Sequence, residues 1–422
     1  MSKLEEMLRD YQIPKVARVK QKFDNTVLDN PETKLAELLE AKKLLIKKGD
    51  RIAITGGSRG IAGYQLVMST VVSFVKAKGG IPFIVPAMGS HGGGTAEGQE
   101  AMLKNLGITE ETVGAPIISS MEVVEVGITE LGLPVYIDKN AYEADGIILL
   151  NRVKTHTSIV GKYQSGLVKM MAIGLAKHKG AALTHSLGTV NLGANVERVG
   201  NLALEKLKVI CGVAIIENGY EQLADLYVLR KEEILETEPS ILERAKTMIP
   251  RILVDKIDSL IVYEQGKDIA GTAMDPAIIG RQINKYRTDG PEVEAIGVLR
   301  LTKKSDGNAS GCGLAEFITR EMREDIKEEY TSVNCLTGSQ PRIARIPVTL
   351  ETDKLVFQAC IKYGGQRNNE DTKMVIIRST KKLDEVYMSK AAVEMIKQQD
   401  MIEICSDYKE VPFDETGKLM LF

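Results

Sequence analysis

A short apolar run, a glycine-rich turn and an amphipathic helix pattern follow one another twice within residues 51–105, and this order limits the fold more than any other feature. Residues 51–55 form the first run, and residues 64–78 form the helix pattern that follows it. Residues 81–85 form the next run, and Thr95 can cap a second helix pattern. Strands and helices that alternate with such short connections predict parallel strands with helices packed on the sheet.

The same alternation continues along the chain and returns in its second half. The apolar run 146–150 precedes a polar stretch, and a charged helix pattern closed by Pro250 marks a boundary. Beyond it, strand-like and helix-like runs alternate again at residues 259–267, 295–300, 313–328, 374–377 and 390–398. At ~100–200 residues per domain, the 422 residues therefore predict two α/β domains with mostly parallel sheets, residues 1–245 and 246–422.

The charge balance and the cysteines exclude several classes of protein. The 55 Lys and Arg residues against 57 Asp and Glu give a net charge of −2, so we expect no nucleic-acid or membrane partner. The five cysteines contain no Cys-x-x-Cys pair, which disfavours zinc ribbons, iron–sulfur sites and disulfide frameworks. No apolar run reaches the ~20 residues of a membrane span, and the first residues lack a signal peptide's apolar core. We expect a cytoplasmic enzyme acting on a small molecule, and homo-oligomer formation stays open.

Residues 151–186 directly follow the apolar run 146–150 and carry three of the four histidines of the chain. Lysines and histidines alternate there with glycines, so charged side chains stand on a backbone that can approach a ligand closely. The carboxyl end of a strand is where α/β proteins bind ligands. The stretch favours an anionic, phosphorylated ligand, although lysines on the solvated face of an ordinary packed helix explain the same pattern.

The glycine-rich turn at residues 54–63 also suits a phosphate, because free N–H groups at the start of a helix bind anions. Thr55, Gly57, Ser58 and Arg59 are the candidate cofactor-binding residues of this turn. The Arg59 guanidinium is a permanently charged donor that suits phosphate or carboxylate.

The same turn resembles the phosphate loop of short-chain dehydrogenases, which leaves an NAD(P)-dependent oxidoreductase as an alternative. Ala62 stands where the last glycine of that loop belongs. The Tyr-x-x-x-Lys sequence formed by Tyr227 and Lys231 has Ala214 where the catalytic serine would lie. These departures disfavour the dehydrogenase and leave the phosphate-binding physics of the turn intact.

His91 and His156 each follow a predicted strand, so in an α/β domain both side chains can reach one crevice. Two imidazoles that face one substrate allow acid and base catalysis near neutral pH, as a racemase or epimerase requires. His185 could ligate a metal, but a conventional metal centre needs three or four protein ligands at suitable spacing. If a metal is bound, a cofactor must bring most of its ligands.

The combination of these motifs resembles the lactate racemase family, which uses a nickel-pincer nucleotide cofactor. In that family a base histidine lies in an Ala-x-Gly-x-His turn followed by Thr, as His91 does here before Thr95. The second base, matched by His156, precedes a Ser-Gly-x-x-Lys segment, matched here by the segment that ends at Lys169. The family's nickel-ligating histidine comes later, and His185 lies 16 residues after Lys169.

The resemblance implies a racemase or epimerase of a 2-hydroxy acid, with the active site in the cleft between two α/β domains. One histidine would remove the hydroxyl proton while hydride moves from C2 to the cofactor, and the other would reprotonate the oxygen. Lys169 would tether the pyridinium-3,5-bisthiocarboxylic acid mononucleotide, and His185 would ligate its nickel. Arg59 and Lys267, which match family cations, would bind phosphate or the substrate carboxylate. Proteins that synthesise and load the cofactor would be partners.

The departures from the family fall around the expected substrate. Gly56 and Gly60 replace an Asp and a Pro of the first loop, and Gly92 and Gly93 stand where the prototype has Arg-Pro. The chain has no Trp, and His178 is additional; we expect it to be a surface residue. These changes put lactate in doubt more than the cofactor. A nucleotide-binding protein that has lost the chemistry is a further alternative.

Overall fold

The computed structural model describes residues 3–156, 158–186, 188, 191–281, 283, 290–337, 340–365 and 369–422. The chain separates into two compact units. One unit is formed by residues 24–249, and the other combines the chain up to Phe23 with residues 250–422. Within the described ranges, no helix is both long enough and apolar enough to span a membrane.

Strands and helices alternate through both units. In chain order the strands are β1 (Val16–Gln21), β2 (Arg51–Gly56), β3 (Ile81–Pro86), β4 (Val123–Ile128), β5 (Pro134–Asp138), β6 (Gly146–Arg152), β7 (Val209–Glu217), β8 (Leu223–Arg230), β9 (Lys256–Gln265), β10 (Glu292–Leu301), β11 (Phe317–Thr319), β12 (Val348–Leu350), β13 (Met374–Ile377), β14 (Glu385–Ser389) and β15 (Ile402–Ile404).

The helices pack on these strands. They are α1 (Lys3–Leu8), α2 (Pro31–Ala41), α3 (Tyr64–Ala77), α4 (Ala96–Asn105), α5 (Glu110–Val113), α6 (Lys139–Glu143), α7 (Leu167–Lys169), α8 (Lys177–Ser186), α9 (Leu192–Lys206), α10 (Ile234–Met248), α11 (Arg320–Asp325), α12 (Glu328–Thr337), α13 (Asp353–Tyr363) and α14 (Lys390–Glu394). A π-helix at Met170–Gly174 lies between α7 and α8. Short 3-10 turns occur at Gly92–Gly94, Lys231–Glu233, Lys303–Ser305, Cys312–Leu314, Pro341–Ala344, Asn369–Asp371 and Gln399–Met401.

The unit of residues 24–249 is built on a five-stranded sheet of order β3-β2-β6-β7-β8. The first four strands are parallel, and β8 adds antiparallel to β7. Successive residues of β2 serve opposite faces, since Ile52 and Ile54 pack with the α3 side and Ala53 packs with the segment that includes Leu167. Both faces of the sheet are therefore buried, which explains why its strands read as continuous apolar runs.

The predicted α/β class and the mostly parallel sheets are confirmed. The two predicted strand, turn and helix pairs appear as β2 with α3 and β3 with α4. Thr95 caps α4 as its spacing predicts, because its hydroxyl accepts the N–H of Gly98 at 3.1 Å. The sequence pattern was sufficient here because strand, turn and cap are all local signals.

The second unit is built on an eight-stranded mixed sheet of order β12-β11-β10-β9-β13-β14-β1-β15. The strands from β12 to β13 are parallel, and the strands from β14 to β15 pair antiparallel. β1 lies between β14 and β15 in this sheet. The first 23 residues, which the sequence pattern assigns to the N-terminal domain, thus lie in the unit of residues 250–422.

Candidate active site

The loops that carry most of the predicted site residues all leave the carboxyl edge of the five-stranded sheet. Loops after β2, β3 and β6 carry Arg59, His91 and His156. Because parallel strands end at the same edge, these three loops share the position where open α/β sheets bind ligands.

Lys169 is the last residue of α7 and lies at the junction with the π-helix. The segment is held at its start by the buried carboxylate of Glu238, whose Oε2 accepts the N–H groups of Leu167 and Val168 at 2.9 and 3.0 Å. Gly166 is required here, because a Cβ at this position would lie 2.2 Å from Oε1 of Glu238. π-helical turns often mark functional sites, and this one follows the predicted tether directly.

The π-helix is packed tightly against the loop that carries His91. The N–H of Leu175 donates to the carbonyl oxygen of Met170 at 2.8 Å, which closes the wide turn. A Cβ on Gly174 would lie 2.7 Å from the carbonyl oxygen of Ala87. The N–H of Gly89 also donates to the carbonyl oxygen of Gly174 at 3.1 Å. The backbone after Lys169 and the backbone before His91 are therefore in direct contact.

The amine of Lys169 lies among other positive groups. Burial lowers its pKa to about 8, and the charges of Arg59 and Lys154 act in the same direction. A lysine with a pKa near 8 is partly neutral at neutral pH, and the neutral amine is the nucleophilic form. The cluster of positive charge also fits an anionic ligand.

His185 lies on α8, close enough to Lys169 for their charges to interact. Burial, and then the charge of Lys169, lower the pKa of His185. The imidazole is therefore held neutral, which is the form that ligates metals. Among the described residues no group of three or more His, Cys, Asp and Glu side chains could hold a metal ion.

Some polar groups of the turn after β2 are already used in hydrogen bonds within the protein. The Thr55 hydroxyl is buried in the sheet and accepts the N–H of Leu150 at 2.8 Å. The N–H of Gly57 donates to the hydroxyl of Tyr64 at 2.6 Å, and Ser58 is half-buried beside it. The helix begins only at Tyr64, so Thr55 and Gly57 lie short of the helix start that the phosphate-loop comparison assumed.

Arg59 is the residue of this turn whose charge reaches the cluster around Lys169. Partial burial lowers its pKa, and the charge of Arg152 adds to the effect. Arg152, at the end of β6, forms a short ion pair with Glu217, whose other oxygen accepts the N–H of Ala62 at 2.7 Å. The carboxylate of Glu217 thus lies among several cations at the carboxyl edge of this sheet.

The ring of His91 has a defined orientation. Its Nδ1 lies 2.8 Å from the carbonyl oxygen of Met88, and a carbonyl oxygen only accepts hydrogen bonds. Nδ1 therefore carries the proton in the neutral ring, and Nε2 has the lone pair. This is the tautomer that a base acting through Nε2 requires.

The ring of His156 has the opposite arrangement. Its Nδ1 accepts the N–H groups of Ser158 and Ile159, both at 3.1 Å. The backbone N–H of His156 donates to Oε1 of Gln164 at 2.8 Å, which fixes the loop. Because Nδ1 is an acceptor, the neutral ring carries its proton on Nε2 and presents a donor. The two histidines that the sequence treats as equivalent are thus set in complementary states.

Lys267 lies in the unit of residues 250–422, at the end of β9. Its Nζ donates to the carbonyl oxygen of Gly271 at 2.6 Å, and its N–H donates to the hydroxyl of Ser305 at 2.9 Å. The neighbouring Gln265 is fully buried, and its side-chain amide has no hydrogen-bond partner among the described residues. Sequence reasoning missed Gln265, because an amide that ends a strand has no local signal that distinguishes it from a surface residue.

Lys177 was missed as well, because the sequence places it in an exposed basic run. Its side chain is 0% exposed and lies 3.2 Å from the equally buried carboxylate of Asp138. His178 is exposed as predicted, and it also lies beside the His91 loop, since a Cβ on Gly94 would be 3.4 Å from its Nδ1.

Comparison with known proteins gives a match to a family model. Residues 2–196 match the model described as "Lactate racemase N-terminal domain". No curated protein matches the chain. The structure of the lactate racemase apoprotein from Thermoanaerobacterium thermosaccharolyticum is similar with a TM-score of 0.45 and 12% sequence identity, over 93% of this chain and 84% of that chain. At that TM-score the similarity supports no comparison of residues.

Proposed function

We propose that this chain is a racemase or epimerase of a 2-hydroxy acid. The premise is that residues 2–196 belong to the lactate racemase N-terminal domain family. The observation that carries the proposal is the environment of Lys169. A lysine of pKa about 8 lies at a π-helical junction, where the charges of Arg59 and Lys154 act on it and its own charge acts on His185. This set of groups suits covalent attachment of an anionic cofactor.

The residues present fit a nickel-pincer nucleotide. The partly neutral amine of Lys169 suits the tether, and the positive groups around it suit the nucleotide phosphate. His185 is a single neutral imidazole, so it suits a metal whose remaining ligands come with the cofactor. When bound, this cofactor supplies the acceptor and donor of the C2 hydride. The chain supplies orientation, charge and proton transfer.

In the proposed reaction His91 and His156 act on the oxygen at C2 from complementary starting states. Nε2 of His91 has the lone pair and accepts the hydroxyl proton, because Nδ1 donates to Met88. Nε2 of His156 carries a proton and donates a hydrogen bond to the substrate oxygen, because Nδ1 is occupied by two backbone N–H groups. Protonating His156 on Nδ1 would break both of those hydrogen bonds, so we assign the base role to His91, which takes the hydroxyl proton and returns it to the oxygen when the alcohol re-forms.

Arg59 and Lys267 are proposed to bind the anionic groups. Arg59 contributes to the charge around Lys169, which favours a cofactor phosphate or a substrate carboxylate nearby. Lys267 lies at the carboxyl edge of the other parallel sheet, beside the buried amide of Gln265. Both cations would act by charge-assisted hydrogen bonds.

The oxidoreductase alternative is disfavoured by the environment of Tyr227. A catalytic tyrosine of that chemistry works as a phenolate, which needs a lowered pKa. Burial, together with the hydrogen bond that the Tyr227 hydroxyl donates to Asp225 at 2.8 Å, raises the pKa of Tyr227 to about 12. The amide of Gly57 in the proposed phosphate loop is also used by Tyr64.

The test is the intact mass and nickel content of the protein after expression in a host that makes the pincer cofactor. We expect a nucleotide-sized adduct on Lys169, near-stoichiometric nickel, and interconversion of the two configurations of a 2-hydroxy acid in a substrate screen. Unmodified protein without nickel, from a host that loads a known lactate racemase, would contradict the proposal. A bound nucleotide without nickel or turnover would instead favour a non-catalytic nucleotide-binding protein.

A further inference from the structure

Lys177 is a fully buried lysine in a strained backbone conformation. Its φ is +52°, a left-handed conformation that residues other than glycine rarely adopt. Its ammonium group donates to the carbonyl oxygen of Pro86 at 2.5 Å and to Oε1 of Gln99 at 3.1 Å. Asp138, 3.2 Å away, balances the charge as an ion-pair contact. The whole group lies away from water.

Gln99 transmits this contact to the loop that carries His91. Its Nε2 donates to the carbonyl oxygen of Gly89 at 2.9 Å and to that of His91 at 3.2 Å. Together, Lys177 and Gln99 therefore hold three carbonyl groups, one at the end of β3 and two in the loop that follows it. Between them lies Met88, whose carbonyl oxygen accepts the Nδ1–H of His91.

The same network reaches the segment that follows Lys169. The N–H of Asp138 donates to the carbonyl oxygen of Leu175 at 2.7 Å, one residue after the π-helix. Lys177 itself follows two residues later and opens α8, the helix that carries His185. The network thus connects the backbone near the proposed base with the backbone near the proposed tether and metal ligand.

A buried ion pair is a costly way to hold a loop. Desolvation of two charges offsets most of their attraction, and apolar residues of the same volume often stabilise a fold as well or better. The left-handed backbone of a non-glycine residue adds strain to that cost. Both costs fall on one residue, which argues for a role in placing groups rather than in stability.

We propose that Lys177, Asp138 and Gln99 are positioning residues that fix the His91 loop so that Nδ1 of His91 donates to Met88 and the lone pair of the neutral ring lies on Nε2. The base role of His91 rests on the function proposed above. The positioning itself is a property of the protein chain and can be measured without cofactor.

The decisive variant is Gln99→Glu, which keeps the shape of the side chain and an acceptor for Lys177. It removes the amide that donates to Gly89 and His91. Gln65→Glu is the matched control, since the Gln65 amide donates to the carbonyl oxygen of Gly107 at 2.6 Å at an exposed position. With ring-15N histidine, the four imidazoles of the chain give four sets of long-range 1H–15N correlations that report each tautomer directly.

For the unloaded protein we expect Nδ1–H for His91 and Nε2–H for His156. Gln99→Glu should convert His91 to a mixture of tautomers and leave His156 unchanged, while Gln65→Glu changes neither. A His91 signal that stays Nδ1–H in folded Gln99→Glu would overturn the proposal. Equal changes in all four histidines, or the same change in the control, would also overturn it, because they indicate a general loss of structure.

A second variant and a kinetic readout complete the test. Lys177→Met combined with Asp138→Asn removes both charges together and should give the same His91 mixture. In loaded enzyme, Gln99→Glu should lower kcat on the order of 10- to 100-fold with little change in KM, because misplacing a base by a fraction of an ångström affects the chemical step. Should the chain prove to have no racemase activity, the imidazole tautomers still decide the positioning.

Discussion

The carboxyl edges of the two mostly parallel sheets occupy the same topological position in their units, but their charged side chains are arranged very differently. At the edge formed by β2, β3 and β6, burial lowers the pKa of Lys169 and of Arg59, and neighbouring positive charges add to the effect, Arg59 on Lys169 and Arg152 on Arg59. At the edge formed by β9 to β13, Arg378 contacts Glu264 at 3.3 Å and Arg320 contacts Glu351 at 2.9 Å.

This difference indicates that one edge takes part in the chemical reaction and that the other only contacts the substrate. At the second edge these two arginines are paired with carboxylates, and ion pairs at the protein surface contribute little to stability. Positive groups that repel one another are retained where an anionic ligand binds, since the ligand relieves the repulsion. We infer that the covalent and proton-transfer chemistry belongs to the unit of residues 24–249, and that the other unit contributes substrate contacts.

The largest effect is expected for Lys169→Met. Without its amine the cofactor has no attachment point, so the nucleotide-sized adduct and turnover should both be lost. Intact mass and a racemisation assay check this, with Lys162→Met as the control, because Lys162 is exposed in the same segment and stacks 5.2 Å from the ring centroid of Tyr163. Full turnover in Lys169→Met would contradict the assignment of the covalent chemistry to the unit of residues 24–249.

The two histidines should differ in how much a side-chain amide can restore. His91→Gln and His91→Ala should both lower kcat by about 10²- to 10⁴-fold, the usual contribution of a general base. His156→Gln should retain more activity than His156→Ala, because the amide can still donate a hydrogen bond. Equal losses in all four variants would show that the complementary tautomers have no functional meaning.

A smaller effect is expected at the other edge. Lys267→Met should raise KM by roughly 10- to 100-fold with kcat within a few fold, because a hydrogen bond to a charged group contributes about 1.5–3 kcal/mol. The cofactor adduct should be unaffected. Lys303→Met is the control, since Lys303 is exposed just after the neighbouring β10. A Lys267→Met protein without the cofactor adduct would contradict the assignment of cofactor attachment to the first edge alone.

The support beneath Lys169 should be visible in the pH dependence of stability. Burial raises the pKa of Glu238 from its ordinary 4.5 to about 7, so the folded state holds its proton more tightly than the unfolded state. The stability associated with this proton is present below pH 4.5 and is lost as the pH rises towards 7. Glu238→Gln removes the titration and should gain at most roughly 3 kcal/mol relative to the parent between pH 5 and pH 8.

Thermal unfolding of the unloaded protein measures this gain as a relative rise in Tm, at most about 10 °C for a unit of this size. Glu236→Gln, at an exposed position of the same helix, should show no such rise. A Glu238→Gln protein whose Tm follows the parent at every pH would contradict the assignment.

The smallest and most specific effect concerns the amine itself. In unloaded protein the acylation of Lys169 should rise with pH around a midpoint near 8, because only the neutral amine reacts. The pKa of Lys162 is raised above its ordinary value, so its reactivity should rise only at higher pH. Arg59→Gln should move the Lys169 midpoint upwards, since the repelling charge is removed. Peptide mass spectrometry follows all three.

The sequence was sufficient for the parts of the fold that depend on local signals. The runs behind β2, β3 and β6, and the Thr95 cap, are read from neighbouring residues, so the α/β class followed. The residues of the proposed site came from motif spacing, and the structure brings Lys169, His185 and Arg59 into one electrostatic cluster. Their roles stay predictions until the variants above are measured.

The sequence failed where distant parts of the chain meet. Nothing near Val16–Gln21 indicates that its partners are β14 and β15. Lys177 lies in a basic run whose next two residues, His178 and Lys179, are exposed, and nothing in that run indicates the left-handed backbone or the burial of Lys177. The histidine tautomers also cannot be predicted from the sequence, because they depend on where the carbonyl oxygen of Met88 and two backbone N–H groups lie.

The pairing of β1 between β14 and β15 has a consequence for the order in which the chain is made. A ribosome releases Val16–Gln21 long before it synthesises either partner strand, and the delay is tens of seconds at the usual ~5–20 residues per second. Residues 24–249 are contiguous, so this unit can complete its core while the other waits. The proposed chemical half of the protein would then be assembled on the nascent chain before the last strand of its companion exists.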